Sequence, residues 1–165
     1  MDVVVTKWAA LKGTAFMIED QIESLLKRFP SWLIQEARLF AEYLDTSREE
    51  NIAREYGIHT IHKVGDNGIF GALWDAAEAA DVGLNVDLQK IPIRQESIEI
   101  FNYLDENPYE SSSAGMLLIF CENGLELKKR FDEADILASV IGKTTDKNDR
   151  IVTNKDRIRF LTPNR

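Results

Sequence analysis

One cysteine, Cys121, stands alone among 165 residues, which excludes an internal disulfide and any zinc site built from several thiolates. Prolines number four and glycines nine, too few for a disordered or low-complexity chain. Long apolar runs are missing as well. The longest, Met116 to Cys121, falls far short of the roughly 20 residues that a membrane-spanning helix needs. The first residues, Met1-Asp2-Val3-Val4-Val5-Thr6-Lys7, hold neither a basic segment nor an apolar stretch followed by small residues, so a cytoplasmic location is expected. Positive charge is in deficit: 20 Lys and Arg stand against 28 Asp and Glu, for a net charge of −8. No basic cluster interleaved with aromatics offsets it, and nucleic acid is not an expected partner. A small anionic ligand stays compatible with this balance, because a local group of amides with one or two cations holds a phosphate inside an acidic protein.

What is present is the composition of a folded domain, 44% hydrophobic and 29% charged. A chain of this length buries one good core, whereas two domains would each be undersized. Val3-Val4-Val5 predicts a strand, and Ile18, Ile22, Leu25, Leu26 and Phe29 predict one amphipathic helix that Pro30 stops. Ser31 is placed to cap a second helix with Leu33, Ala37, Phe40, Ala41 and Leu44 inward. Ser47 and Glu50 have the spacing of a capping box, and Gly57 that of a helix terminator. Further on, a strand is expected over Ile58 to Val64, a glycine loop over Gly65 to Gly71, and a helix over Ala72 to Ala80 ending at Gly83. Leu84 to Leu88 reads as a strand, Ile98, Phe101 and Leu104 mark a helix, and Gly115 to Cys121 suits a buried strand. Leu125 to Ala134 reads as another helix, and Ile151-Val152 with Ile158 to Leu161 as closing hairpin strands. Strands alternating with helices imply helices layered over a central sheet.

The stretch His62-Lys63-Val64-Gly65-Asp66-Asn67-Gly68 carries the most chemistry. A strand that turns through glycines into a helix presents unpaired amides at a positive dipole end, where an anion can sit. His62 and Lys63 add hydrogen bonds and charge, and glycine lets backbone approach a ligand closely. The alternative is that the glycines serve only a tight turn, with Asp66 or Asn67 as its cap. Lys7 beside Gly13-Thr14 forms a second corner of this kind, and Ser113 in the loop Ser111-Ser112-Ser113 a third source of polar groups. Cys121 is a nucleophile only if His59 or His62 lies beside it; at the end of an apolar strand it is otherwise an inert buried thiol. The histidines and the cysteine have no recognised ligand spacing, so no metal site is expected, and Asp75 with Glu78 reads as a solvated helix face. No catalytic residue is assigned.

Together these segments resemble a known family. Val4-Val5-Thr6-Lys7 followed by Gly13-Thr14 is similar to the segment that joins the two halves in hydrogenase maturation factors of the carbamoyl-dehydratase type and other aminoimidazole ribonucleotide (AIR) synthase relatives. Ile61 to Leu73 resembles the family's histidine, aspartate, acidic residue, glycine-glycine corner. Leu84 to Leu88 with Ile91-Pro92-Ile93, and Ser112 to Ile119, follow in the order of the same C-terminal (PurM-type) domain. The resemblance implies an α+β, three-layer α/β/α fold with a central mixed sheet, partly ferredoxin-like. It implies one domain over residues 1–165, with 1–13 as linker and first strand and the family's ATP-binding half absent. That half, or a separate subunit, is the implied partner; ATP and magnesium are implied cofactors of the complete protein, and dimers are common among members. His62, Lys63, Gly65, Asp66, Asn67 and Gly68 are the implied phosphate or substrate contacts, with Lys7 and Ser113 as additions. Departures are visible: Lys63 stands at the usual aspartate, Asn67 at the first of two glycines, and Thr162-Pro163-Asn164-Arg165 lacks the cysteine on which the maturation factors build a thiocyanate. The expected role is to complete an ATP-dependent cleft, inactive alone, with a non-catalytic assembly domain as the alternative.

Overall fold

The computed structural model describes residues 1–163. In chain order its elements are β1 (Asp2–Thr6), α1 (Leu11–Asp20), α2 (Ile22–Arg28), α3 (Ser31–Arg38), α4 (Ser47–Tyr56), β2 (His62–Lys63), α5 (Gly68–Ala80), β3 (Gly83–Asp87), α6 (Gln95–Leu104), β4 (Leu117–Cys121), α7 (Gly124–Glu133), β5 (Ala138–Thr145), β6 (Arg150–Asn154) and β7 (Arg157–Phe160). Short 3-10 turns occur at Leu39–Tyr43, Leu88–Lys90 and Pro108–Glu110. The tail residues Asn164 and Arg165 lie outside the described residues.

The seven strands form one sheet in the order β2-β4-β1-β5-β3-β6-β7. Every pairing is antiparallel except that of β3 with β6. The valine run explains the placing of β1 in the middle. Val3 and Val5 enter one apolar cluster with Ile69, Leu73 and Ala76 of α5, while Val4 enters another with Ala53 of α4 and Leu127 and Phe131 of α7. Successive side chains of a strand point to opposite faces, so a strand apolar on both faces must be covered on both. Each of the three valines is fully buried, and each contributes about 1.5–3 kcal/mol by leaving water. A third cluster joins α1, α2, α3 and α6 through Leu11, Ile18, Leu25, Ile34, Phe40 and Ile100. The fold is therefore α+β, with helices on both faces of a central mixed sheet, as the sequence leads one to expect.

Several local expectations are corrected. The single helix expected up to Phe29 is two, broken at Gln21, whose φ of −128° and ψ of 34° leave the helical region. The expected capping box of Ser47 and Glu50 does not form: Thr46 is the N-cap of α4 and its hydroxyl donates to the Glu50 side chain (Oε2, 2.8 Å) and not to a helix amide, while the Ser47 hydroxyl donates to Asp45 Oδ1 (2.7 Å). Ala41 is exposed. The strand expected over Ile58 to Val64 shrinks to two residues, because Ile58 and Ile61 pack against the cluster of α4 and α7 and leave the sheet to His62 and Lys63. Helix α5 begins at Gly68 and not at Ala72, since buried Ile69, Phe70, Leu73, Ala76 and Ala77 already follow helical spacing from 69 onward. It ends at Asp81 in the left-handed region (φ 53°). Gly83 instead opens β3, where a Cβ would stand 2.4 Å from the carbonyl oxygen of Lys147.

Candidate functional site

Edge strand β2 pairs with Leu117 and Leu118 of β4, and the Val64 amide extends the ladder by donating to the Met116 carbonyl (3.0 Å). The chain then turns. The carbonyl of Gly65 accepts from the amide of Gly68 (3.1 Å), closing the turn, and from the amide of Ser113 (3.1 Å), tying it to the loop before β4. Gly68 opens α5 with φ at 71°. A Cβ there would lie 2.4 Å from the Tyr109 carbonyl oxygen and 2.8 Å from that of Ser111, so no other residue fits without moving backbone. At Gly65, by contrast, an added Cβ meets nothing within 4 Å.

The result is an open corner. His62, Lys63, Gly65, Asp66, Asn67 and Gly68 line one hollow of about 280 Å³, together with Ala72 and Asp75. Lys63, Gly65, Asp66 and Asn67 are exposed. Among the described residues, no backbone carbonyl takes the amides of Asp66, Asn67, Ile69 or Phe70, the orphan donors expected at a helix start. Lys63 Nζ lies 3.4 Å from Glu50 Oε2. The Thr46 hydroxyl, and then Lys63, hold the Glu50 carboxyl below the usual carboxylate range, so it is ionised at neutral pH and competes with any anion for the ammonium. Burial pushes the His62 imidazole down from 6.5, against an upward pull from Asp75, so it is mainly neutral at pH 7, with one nitrogen donating and one accepting. His62 also borders a larger hollow of about 480 Å³ that includes Ile58, His59 and Phe120.

The other two residues singled out from the sequence lie elsewhere. Lys7 is 9% exposed, and its ammonium donates to the carbonyls of Tyr43 (2.7 Å) and Asp45 (2.8 Å) and sits 3.1 Å from Glu49 Oε2. That carboxylate oxygen is buried and, among the described residues, has no hydrogen-bond partner beyond this ionic contact. The lysine thus clamps the turn before α4. Ser113 is fully buried; its hydroxyl accepts from the Ala10 amide (2.8 Å) and donates to the Ser111 carbonyl (3.2 Å). It braces the corner from behind through the amide that meets Gly65. Gly13 belongs to the same brace, its amide donating to the Ser112 carbonyl (2.8 Å). Burial, and then the charge of Asp2, push the Cys121 thiol up, which leaves it a poor nucleophile.

Sequence reasoning missed two features here. Ser112 donates its hydroxyl to Asp66 Oδ1 (3.1 Å) and orients that carboxylate at the mouth of the hollow. On the far side of Asn67 a second hollow of about 310 Å³ is lined by Phe70, Glu110 and Arg159 among others. The Arg159 guanidinium lies 4.9 Å over the Phe70 ring and bonds Glu110 Oε1 (2.6 Å). The only sequence signal for it was the alternation of arginine with apolar residues near the C-terminus, which reads equally as an ordinary edge strand. Among the described residues, no group of three or more His, Cys, Asp or Glu could hold a metal ion.

A mixed sheet covered by helices on both faces, with an open corner where a glycine turn enters a helix, is the arrangement of an α/β/α domain of the PurM C-terminal type. The chain belongs to the family described as AIR synthase related protein, C-terminal domain, whose profile matches residues 2–154. Phosphoribosylformylglycinamidine synthase subunit PurL of Staphylococcus carnosus (strain TM300) is 25% identical over 153 residues, covering 90% of this chain and 20% of that protein. E. coli HypE superimposes with a TM-score of 0.76 at 12% identity, over 99% of this chain and 49% of that one. The hydrogenase maturation protein HypE in complex with ATP does so with a TM-score of 0.67 at 14% identity, over 99% of this chain and 50% of that one. The chain thus spans about one fifth of that PurL and about half of each HypE.

Proposed function

We propose that this domain supplies the second wall of an ATP-dependent cleft whose nucleotide-holding wall comes from another domain or subunit, and that the corner at residues 62–68 contacts the phosphate or substrate lying between them. The observation that carries this reading is the convergence of His62, Lys63, Gly65, Asp66, Asn67 and Gly68 on one open hollow at the start of α5. A HypE of the same fold binds ATP, and the fraction of each relative covered here leaves room for a nucleotide-binding half. Lys63 and a neutral His62 suit an oxyanion, while Asp66 and Asp75 are too few to hold magnesium unaided. Magnesium is therefore held by the partner together with the nucleotide's own phosphates. On this reading the domain is cytoplasmic, does not hydrolyse ATP alone, and pairs with itself, if at all, through the partner half. A role in hydrogenase maturation is the finer form of the proposal.

The test is calorimetric titration of the full chain with inorganic pyrophosphate and with ATP and magnesium, alone and after adding an ATP-binding half taken from a HypE. Saturable binding that Lys63→Ala weakens about tenfold, and that Gly65→Val abolishes by filling the hollow, supports the assignment. Binding indifferent to both substitutions removes it. The Lys63–Glu50 pair favours a second reading, an assembly domain that keeps the fold without the chemistry, because the cation at the corner is already engaged. Stable complex formation with that half and no ligand binding in any combination would select it.

A further inference from the structure

The last hairpin differs from the rest of the molecule in charge and in covering. Residues 150–160 hold four cations, Arg150, Lys155, Arg157 and Arg159, against one carboxylate, Asp156, in a chain of net charge −8. Lys155 and Arg157 make no ion pair among the described residues. Strand β7 ends the sheet, and all four of its residues are exposed, with Ile158 at 62% and Phe160 at 61%.

Its backbone points the same way. The amide of Leu161 donates inward to the Arg150 carbonyl (2.8 Å), and β7 pairs antiparallel with β6 as Val152 with Arg159 and Asn154 with Arg157. Inward- and outward-facing residues alternate along such a strand, so Arg157 and Arg159 spend their amides and carbonyls on β6. Ile158 and Phe160 turn theirs to the open edge. Among the described residues no further strand pairs with this edge, and β7 holds neither a bulge nor a proline, so its outward amides and carbonyls are a template for another strand. Side chains alternate in step: Arg159 lies over Phe70 on one face, while Ile158 and Phe160 stand on the other beside their cross-strand partners Thr153 and Ile151.

We propose that β7 is a strand-addition site for an extended segment of a partner polypeptide in which acidic and apolar residues alternate. Main-chain hydrogen bonds to Ile158 and Phe160 supply the pairing. Acidic side chains on one face meet Arg157, and Arg159 in competition with its present partner Glu110, while apolar ones on the other meet Ile158 and Phe160. A second copy of this chain is disfavoured as occupant, because antiparallel pairing of β7 with itself sets arginines opposite arginines on one face.

A fluorescent peptide of about ten residues alternating Glu and Val, compared with a peptide of the same composition whose Glu residues precede its Val residues, separates pattern from charge. The alternating peptide is expected to bind the full chain at least about tenfold tighter by fluorescence anisotropy. Ile158→Pro removes the outward amide while leaving the bonds to β6, a position where edge strands tolerate proline, and is expected to cost at least about tenfold in affinity with unchanged circular dichroism. Arg157→Glu, on an exposed side chain, is expected to weaken binding by a similar factor without relying on the proline. Equal binding of the two peptides, undiminished binding by Ile158→Pro with its fold intact, or no saturable binding would each overturn the proposal. So would a concentration-dependent dimer in sedimentation equilibrium that these substitutions dissolve, since the occupant is then a second copy.

Discussion

Three glycines allow the geometry of the corner to be measured by stability alone. Gly65 has no positive φ and open space around it; Gly57 has φ at 104° and equally open space; Gly68 has φ at 71° and backbone atoms within 2.8 Å of any added Cβ. Replacing each by alanine therefore adds one physical cost at a time. Gly65→Ala meets neither cost and is expected to be neutral or stabilising by about 0.4–1 kcal/mol, through the restricted unfolded chain. Gly57→Ala bears the left-handed cost of about 1–2 kcal/mol, partly offset by the same unfolded-state gain. Gly68→Ala bears that cost and a collision with the turn at Tyr109 to Ser111. Overpacking against unyielding backbone adds about 1–3 kcal/mol, for a total loss of about 2–5 kcal/mol. In a domain of this size that corresponds to a fall in Tm of about 4–20 °C. Urea unfolding followed by circular dichroism gives all three values under one condition. The order Gly65, Gly57, Gly68 in rising cost is the expected result. If Gly68→Ala stays within about 1 kcal/mol of Gly57→Ala, the turn at 109–111 does not close on α5 as described, and the corner it shapes is not there.

Two further outcomes follow from charges that the fold has enclosed. Lys7→Met leaves the Glu49 carboxylate buried beside two carbonyls that have lost their donor, and is expected to cost about 3–5 kcal/mol; Lys7→Met with Glu49→Leu should recover most of that loss in the same urea assay. His62 should titrate below 6.5 by NMR, and lower still in Asp75→Asn, which removes the upward pull. Because the folded value is depressed, the neutral ring's contribution is fully present above the unfolded value near 6.5 and is lost as pH falls through the folded one. A midpoint above 6.5 would refute the burial argument.

The parts of the fold legible in the sequence are those decided by local pattern. Val3-Val4-Val5 reads as a strand and Gly57 as a helix terminator from local pattern alone, while the covering of the valines on both faces is settled only by packing. The misplaced boundaries have a shared cause. Ile58 and Ile61 have strand-like character, yet their burial against α4 and α7 is settled by packing. The parallel pairing of β6 with β3 was invisible for the same reason, since nothing in Ile151-Val152 says which strand it will join. At the site, six of the hollow's eight lining residues fall within residues 62–68 and are readable as one motif, whereas Ala72 and Asp75 join them only through the winding of α5. Only residue type points to Lys7 and Ser113, and type does not reveal that their polar groups are already taken by Tyr43, Asp45 and Ala10.

Those occupied groups explain how an open, glycine-containing turn keeps its shape. Three chain segments meet behind it: the end of β1 with the start of α1, the loop Ser111 to Ser113, and the turn Gly65 to Gly68. The Ala10 amide holds the Ser113 hydroxyl, the Ser113 amide holds the Gly65 carbonyl, and the Gly13 amide holds the Ser112 carbonyl. Ser112 then reaches the front through Asp66. Because the Gly65 carbonyl already receives two amides, the peptide plane that it shares with the Asp66 amide cannot rotate without breaking both. For the phosphate contact proposed above, preorganisation of this kind would spare the cost of ordering that donor on binding. It also means that Ser113, although hidden from the hollow, helps to hold the corner's shape through its bonds to Ala10 and Gly65.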